Sequence, residues 1–156
     1  MRTALALCLS AIVAVFTCSV GAGVALAGAN NLIDGVAIHG FDPVAYFTDK
    51  KAVKGDPEHI AIHDGATYEF ASKENKATFE ADPAKYVPQF GGYCAFGVGE
   101  GYKADIDPHA FTVSDGKLYL NYSEPTSEEF RADLKGRVTK AEKNWPSVIS
   151  TTNVIR

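Results

Sequence analysis

The N-terminal part of the chain almost lacks charge. Arg2 is the only charged residue before Asp34, and an apolar run extends from residue 4 to residue 27. The run ends in the small residues Ala25-Leu26-Ala27. A short basic start, an apolar stretch and a small-residue ending are typical of an export signal. The pattern predicts a signal peptide over residues 1–27, with cleavage after Ala27 or Ala29, and a periplasmic or secreted protein. An uncleaved N-terminal membrane anchor is the alternative.

Sulfur is scarce once this segment is removed. Cys8 and Cys18 lie inside it, which leaves Cys94 alone, and Met1 is the only methionine of the whole chain. A mature chain with one cysteine cannot form an internal disulfide or a zinc site with several thiolates, and it offers no methionine ligands for copper. Because exported cysteines normally pair, the unpaired Cys94 needs an explanation: a buried packing group, a metal ligand or a reactive thiol.

Basic patches and the common catalytic motifs are also missing. The formal net charge of −4 becomes one unit more negative without Arg2, which argues against nucleic acid or an anionic membrane as partner. No phosphate-binding glycine loop, nucleophile elbow or zinc-protease motif occurs, so we assign no catalytic residues and do not expect an enzyme. No repeat is apparent in the sequence, and the length suits one domain.

Two stretches have the pattern of β-hairpins. Residues 60–63 and 66–70 flank Asp64-Gly65, a dipeptide that favours a tight two-residue turn. Residues 111–113 and 117–122 flank a second turn that contains Asp115-Gly116. Both pairs predict antiparallel strands.

Helices are indicated between and after the hairpins. Asp42-Pro43 predicts the start of a short helix, and Ser72 predicts the cap of another, with Ala77 and Phe79 facing inward. Thr126 with Glu129 has the form of a capping box. An apolar stripe at helical spacing follows it, at Phe130, Leu134, Val138, Ala141 and Trp145. We expect Pro146 to end this amphipathic helix and residues 147–156 to form a loose tail. The predicted fold is therefore a small single α+β domain, with antiparallel β-hairpins packed against a few helices.

Several motifs, in order, resemble the secreted YHS-domain family. The most distinctive are Gly40-Phe41-Asp42-Pro43-Val44-Ala45-Tyr46-Phe47, Pro88-Gln89-Phe90-Gly91-Gly92-Tyr93-Cys94-Ala95 and Asp115-Gly116-Lys117-Leu118-Tyr119-Leu120-Asn121-Tyr122. The resemblance covers most of the chain after the signal, which implies a YHS-like domain over residues 30–146.

The resemblance implies a binding module that handles metal. Small YHS domains look like metal-binding modules with cysteine ligands, but Ala45, Ala71 and Asn75 stand where those cysteines would be. Their metal site is therefore expected to be absent, although the backbone frame is kept. Cys94 is the remaining sulfur ligand, and His39 and His109 are its candidate partners in a sparse site. Copper is the preferred metal because of the family association and the expected export.

Two other functions stay open. A thiol-based redox enzyme would use Cys94 with a nearby histidine and an external resolving thiol. Alternatively, the aromatic residues of the YHS motifs could surround a small apolar ligand or a haem edge, with Asp42, Tyr46 and Tyr93 as polar groups that orient it. For Asp42 a helix cap is the simpler interpretation. The oligomeric state is not predicted.

Overall fold

The computed structural model describes residues 28–156, so the expected signal peptide lies outside the described residues. The described part is an α+β domain. Its strands are β1 Leu32–Ile33, β2 Val36–Ala37, β3 Asp56–His63, β4 Ala66–Phe70, β5 Lys103–Ala104, β6 Asp107–Ser114, β7 Lys117–Asn121 and β8 Val154–Ile155. Its helices are α1 Ala45–Thr48, α2 Lys73–Ala81, α3 Pro83–Tyr86, α4 Ala95–Glu100, α5 Glu124–Ala132 and α6 Leu134–Val148.

Both predicted hairpins are confirmed. β3 and β4 pair antiparallel around a turn in which Asp64 and Gly65 have φ of 47° and 75°, a conformation that suits these residues. β4 also pairs with β2, giving a sheet in the order β1-β2-β4-β3. β6 and β7 form a separate antiparallel pair around the turn at Asp115-Gly116. Both first strands begin earlier than the sequence predicts, and each contains a register irregularity near its start.

The helix that Ser72 caps is confirmed. The Ser72 hydroxyl accepts the N–H of Asn75 at 3.1 Å, and Phe79 is buried on the inner face of α2. Ala77 is exposed, so its predicted inward position is wrong. The short helix after Asp42-Pro43 is also confirmed, as α1.

The C-terminal helix is two helices, which corrects the sequence prediction. Ser123 caps α5, three residues before Thr126, and Asp133 leaves helical geometry at φ −134° and caps α6 through the N–H of Gly136. Pro146 lies inside α6, which continues to Val148. Asp133 interrupts an apolar stripe that otherwise has continuous helical spacing, and its carboxylate accepts the N–H of Gly136 in the first turn of α6 at 3.2 Å.

The last residues are held against the domain, whereas the sequence predicts a loose tail. β8 pairs in parallel with β5, and the N–H of Asp105 donates to the carbonyl of Ile155 at 2.8 Å. The buried Lys103 ammonium donates to the carbonyls of Gly28, Ile149 and Thr151 at 2.7, 2.9 and 2.7 Å. Backbone pairing therefore orders a segment that has too few apolar residues to give a strand signal.

The core consists of two apolar clusters. The larger one packs the first hairpin and its helices around Phe70, Phe79 and Tyr46. The smaller one packs α4, α5 and α6 around Phe130 and Val98. Cys94 belongs to the larger cluster, and its neighbours Tyr93 and Ala95 belong to the smaller one, so Cys94 lies at the junction of the two clusters.

Candidate functional site

Cys94 immediately precedes α4 and caps it. Its sulfur accepts the N–H of Gly97 at 3.4 Å, and its own N–H donates to the carbonyl of Ala104 at 3.0 Å. The turn before it places Gly91 and Gly92 at φ of 61° and 77°, and a Cβ at Gly91 would collide with the carbonyl of Ala29. The glycine pair in the sequence is therefore needed to bring the chain into the position from which Cys94 starts α4.

Burial controls the ionisation of this thiol. The residue is 2% exposed, and burial raises the pKa of Cys94 above its usual value. The backbone N–H groups of Gly97, Tyr122 and Phe96 point toward the sulfur and oppose that rise. Since the thiolate is the nucleophile, a thiol with a raised pKa is a poor catalyst at neutral pH. This result disfavours the redox-enzyme interpretation.

Asn121, at the end of β7, is a neighbour of the thiol that sequence reasoning missed. It is fully buried, its Oδ1 accepts the N–H of Phe96 at 3.2 Å, and the same oxygen lies 3.9 Å from the Cys94 sulfur. Its buried Nδ2 has no hydrogen-bond partner within residues 28–156. A polar residue at the end of the apolar run Leu118-Tyr119-Leu120 was the available signal, because buried amides rarely occur without a specific role.

A cavity of about 230 Å³ lies against the Cys94 thiol. Its lining residues are Cys94, Phe96, Tyr102, Ala104, Tyr122, Thr126 and Ile155. Tyr102 and Tyr122 are partly exposed at its edge, and Ile155 of β8 covers one side of it. The ordered C-terminal strand therefore forms part of the wall of the cavity.

The structure does not assemble Cys94, His39 and His109 into one site. The His39 ring bonds the Asp105 carboxylate at 2.8 Å, and the ring lines a different cavity. His109 is exposed and stacks edge-on against Phe41, with 5.4 Å between ring centroids. Over the described residues, no group of three or more His, Cys, Asp or Glu side chains is placed to hold a metal ion. The YHS motifs do converge, but they direct these two histidines elsewhere.

Asp42, Tyr46 and Tyr93 are buried, and each bonds protein groups. The Tyr46 hydroxyl donates to the carbonyl of Pro108 at 2.9 Å, and burial raises the pKa of this phenol. The Tyr93 hydroxyl contacts the carbonyls of Gly28 and Asn30, both at 3.1 Å. These tyrosines connect distant segments of the chain, which is the behaviour of structural side chains.

The Asp42 carboxylate is the centre of a buried hydrogen-bond network. One oxygen accepts the N–H groups of Val44 at 2.8 Å and Ala45 at 3.4 Å, so the predicted capping role is confirmed. The other oxygen accepts the N–H of Ala71 at 2.9 Å and the side-chain amide of Asn75 at 2.7 Å. Ala45, Ala71 and Asn75 are the positions at which the resemblance would place cysteines, and all three therefore lie around one point. In this chain the side chains of Asp42 and Asn75 fill that point.

Comparison with known families supports the resemblance. The model of the YHS domain matches residues 44–90, which include Asn75 but end before Cys94. The YHS domain is commonly associated with the handling of metal, copper in particular. No curated protein and no solved structure matches the chain. Within residues 28–156, no helix is both long and apolar enough to span a membrane.

Proposed function

We propose that this YHS-type chain is an exported binding module that holds a soft metal ion, Cu(I), at Cys94. The observation that carries the proposal is the cavity of about 230 Å³ that Cys94 lines. Thiolate is a soft ligand, and Cu(I) is among the metals that prefer soft ligands. The association of YHS domains with copper points in the same direction.

The composition of the cavity narrows the choice of metal. The lining contains one sulfur, the hydroxyls of Tyr102, Tyr122 and Thr126, and no carboxylate or imidazole. Zinc in proteins is usually held by three or four Cys, His, Asp or Glu side chains, and Cys94 is the single residue of these types in the lining. Cu(I) is a d¹⁰ ion that accepts few ligands, so one protein thiolate can hold it while an exchangeable small ligand completes its coordination. Such a site suits a carrier better than a permanent cofactor.

Export is supported by the sequence and is compatible with the thiol chemistry. The first 27 residues have the pattern of a signal peptide. A free thiol in an oxidising compartment risks disulfide exchange unless it is buried or protonated. Cys94 is both, because its burial raises its pKa.

An anaerobic titration of the mature protein with Cu(I) against a competing chelator tests this function. We expect one-to-one binding that Cys94→Ser abolishes, because an alcohol is a poor ligand for a soft ion. His39→Gln and His109→Gln are the matched controls and should bind as the wild type does, since neither ring contacts the thiol. Unchanged affinity in Cys94→Ser would refute the proposal. Loss of binding in either histidine variant would show that the ion lies elsewhere.

A small organic ligand in the same cavity is the second candidate. It is favoured by the aromatic side chains of the lining, because Phe96, Tyr102 and Tyr122 are three of its seven residues. An apolar ligand would keep its affinity in Cys94→Ser and lose it in Tyr122→Ala. A fluorescent apolar probe titrated into these two variants separates the two functions, because Cu(I) binding depends on the sulfur.

A further inference from the structure

The two hairpins have the same pairing, residue for residue. In the first, Asp56 pairs with Phe70, and the register then shifts before Ala61 pairs with Tyr68. In the second, Asp107 pairs with Asn121, and the register shifts at the corresponding place before Thr112 pairs with Tyr119. Every paired residue of the second hairpin lies 51 positions after its counterpart, as 107 follows 56 and 119 follows 68. Two unrelated hairpins would not be expected to share a bulge at the same point.

The segments that follow the hairpins also correspond. Ser72 and Ser123, again 51 apart, have nearly the same backbone angles and cap helices of nine residues each, α2 and α5. Each helix buries one phenylalanine, Phe79 or Phe130. Each ends at an aspartate outside helical geometry, 51 positions apart.

The turns before the hairpins correspond at a spacing of 52. Ile38, His39 and Gly40 have φ of 50°, 51° and 75°, and Phe90, Gly91 and Gly92 have 53°, 61° and 77°. Three consecutive residues in the left-handed region are uncommon, because only glycine adopts it without cost. Their recurrence at a fixed interval is therefore strong evidence of a shared origin.

Asp42 and Cys94 follow these turns at the same position. The N–H of Asp42 donates to the carbonyl of Val53 at 2.9 Å, and that of Cys94 donates to the carbonyl of Ala104 at 3.0 Å. Each side chain then accepts backbone N–H groups two and three residues later, at the start of a helix. Each also faces the N–H of the residue after its hairpin, Ala71 or Tyr122.

We infer that the domain contains two copies of one unit, residues 38–82 and 90–133, in which Cys94 occupies the position of Asp42. The YHS model matches residues 44–90, most of the first copy, which indicates that the second copy has diverged further. At the spacing of 51, residues 56–82 and 107–133 are identical at nine of 27 positions, which include the Asp-Gly turns, the capping serines and the buried phenylalanines. The repeat is hard to see without the structure, because the other positions differ and the spacing changes from 52 to 51 between the turn and the hairpin.

The two copies differ at one decisive position. In the first, the side-chain amide of Asn75 fills the space beside Asp42 and donates to its carboxylate at 2.7 Å. The counterpart of Asn75 is Thr126, whose shorter hydroxyl bonds Ser123 at 2.9 Å instead. The cavity beside Cys94 is lined by Thr126 and therefore occupies the place that an amide fills in the first copy.

Thr126 is thus the residue that keeps the cavity beside Cys94 open in the second copy. In the first copy, the Asn75 amide donates a hydrogen bond to the Asp42 carboxylate. By analogy, the ligand of the second copy is a cation or a hydrogen-bond donor that contacts the Cys94 sulfur. The fully buried Asn121 places its Oδ1 3.9 Å from the same sulfur, and its Nδ2 is unpartnered within the described part of the chain, so this amide is a second polar group next to Cys94. That this ligand is Cu(I) rests on the proposed function, whereas the equivalence of the two copies does not.

Alkylation of Cys94 by iodoacetamide in the native protein tests the role of Thr126. Thr126→Asn should restore the amide of the first copy and slow alkylation by about five- to tenfold, the effect expected of one added hydrogen bond and a filled cavity. Thr126→Ser keeps the hydroxyl and should react within about twofold of the wild type. Equal rates in Thr126→Asn and Thr126→Ser would overturn the inference.

A double variant tests the equivalence without relying on the thiol. Cys94→Asp should lower the melting temperature, because the new carboxylate lacks the fourth donor that Asn75 gives Asp42. Adding Thr126→Asn should recover most of that loss, whereas Thr126→Asn in the wild-type background should not raise the melting temperature by the same amount. Additive effects of the two substitutions would contradict the equivalence.

These experiments separate the two proposals. If the wild type does not bind Cu(I) but Thr126→Asn protects Cys94, the proposed function fails and the equivalence stands. If Cu(I) binds through Cys94 and Thr126→Asn changes neither alkylation nor affinity, the function stands and the equivalence fails.

Discussion

The surroundings of the Cys94 side chain differ from those of a reactive thiol. Its pKa is raised by burial, and only backbone N–H groups, rather than a cationic side chain, oppose that rise. A soft cation in the adjacent cavity would supply the missing positive charge and allow the sulfur to ionise. Under the proposed function, Cys94 would release its proton when a cation binds and remain a thiol otherwise.

The affinity for Cu(I) should consequently depend on pH. Because Cu(I) binds the thiolate and the pKa of Cys94 is raised, the ion must displace a proton at neutral pH. We expect the affinity to increase by roughly tenfold per pH unit and to level off only above the raised pKa of the thiol. Competition titrations at several values between about pH 6 and pH 8, within the range where an ordinary cysteine is still protonated, measure this slope. A flat profile would show that Cys94 does not exchange a proton for the ion.

Single residues also show where prediction from sequence stops. Cys94 could be identified because an unpaired cysteine is unusual in a chain with a predicted export signal. Asn121 and Thr126 were missed, because they come close to Cys94 only in the folded chain. The one local signal was the polar side chain of Asn121 at the end of an apolar run. The histidines were misleading for the same reason, since proximity to a motif does not fix the direction of a ring. His39 faces Asp105 instead of the thiol.

At the scale of elements, short-range signals predicted well and long-range pairing did not. The Asp-Gly turns determined both hairpins, and Ser72 determined the start of α2. The apolar stripe from Phe130 to Trp145 suggested one helix because its spacing continues through Asp133, where the structure has a break. β8 was not predicted, because a two-residue strand is stabilised by its partner β5 rather than by its own composition.

The C-terminal strand should limit access to the cavity. Ile155 lines the cavity beside Cys94. β8 is held by its pairing with β5, by the packing of Val154 against the smaller apolar cluster and by the contact of Arg156 with Asp105 at 3.4 Å. A chain that ends after Asn153 should therefore alkylate at Cys94 about three- to tenfold faster, because short terminal elements contribute little to global stability. The mature protein with Ile62→Ala, an exposed residue on β3, is the control. Unchanged alkylation in the shortened chain would mean that the ligand enters from another side.

At the scale of the whole molecule, two copies of one unit explain how the YHS frame persists here without its cysteines. The first copy retains the sequence motif and fills its central point with Asp42 and Asn75. The second copy retains the backbone and leaves the corresponding point accessible beside Cys94. The hydrogen bond from Tyr46 to the carbonyl of Pro108 joins one copy to the other. Under the proposed function, the first unit stabilises the domain and the second provides the binding site.

A crystal structure of the Cu(I)-loaded mature protein, with anomalous data collected at the copper edge, tests this account most directly. The account predicts one anomalous peak in the cavity between Cys94, Tyr122 and Thr126, within bonding distance of the sulfur. It also predicts no peak at Asp42, because Asn75 fills the equivalent space. A peak at His39 or His109 with none at Cys94 would contradict the account.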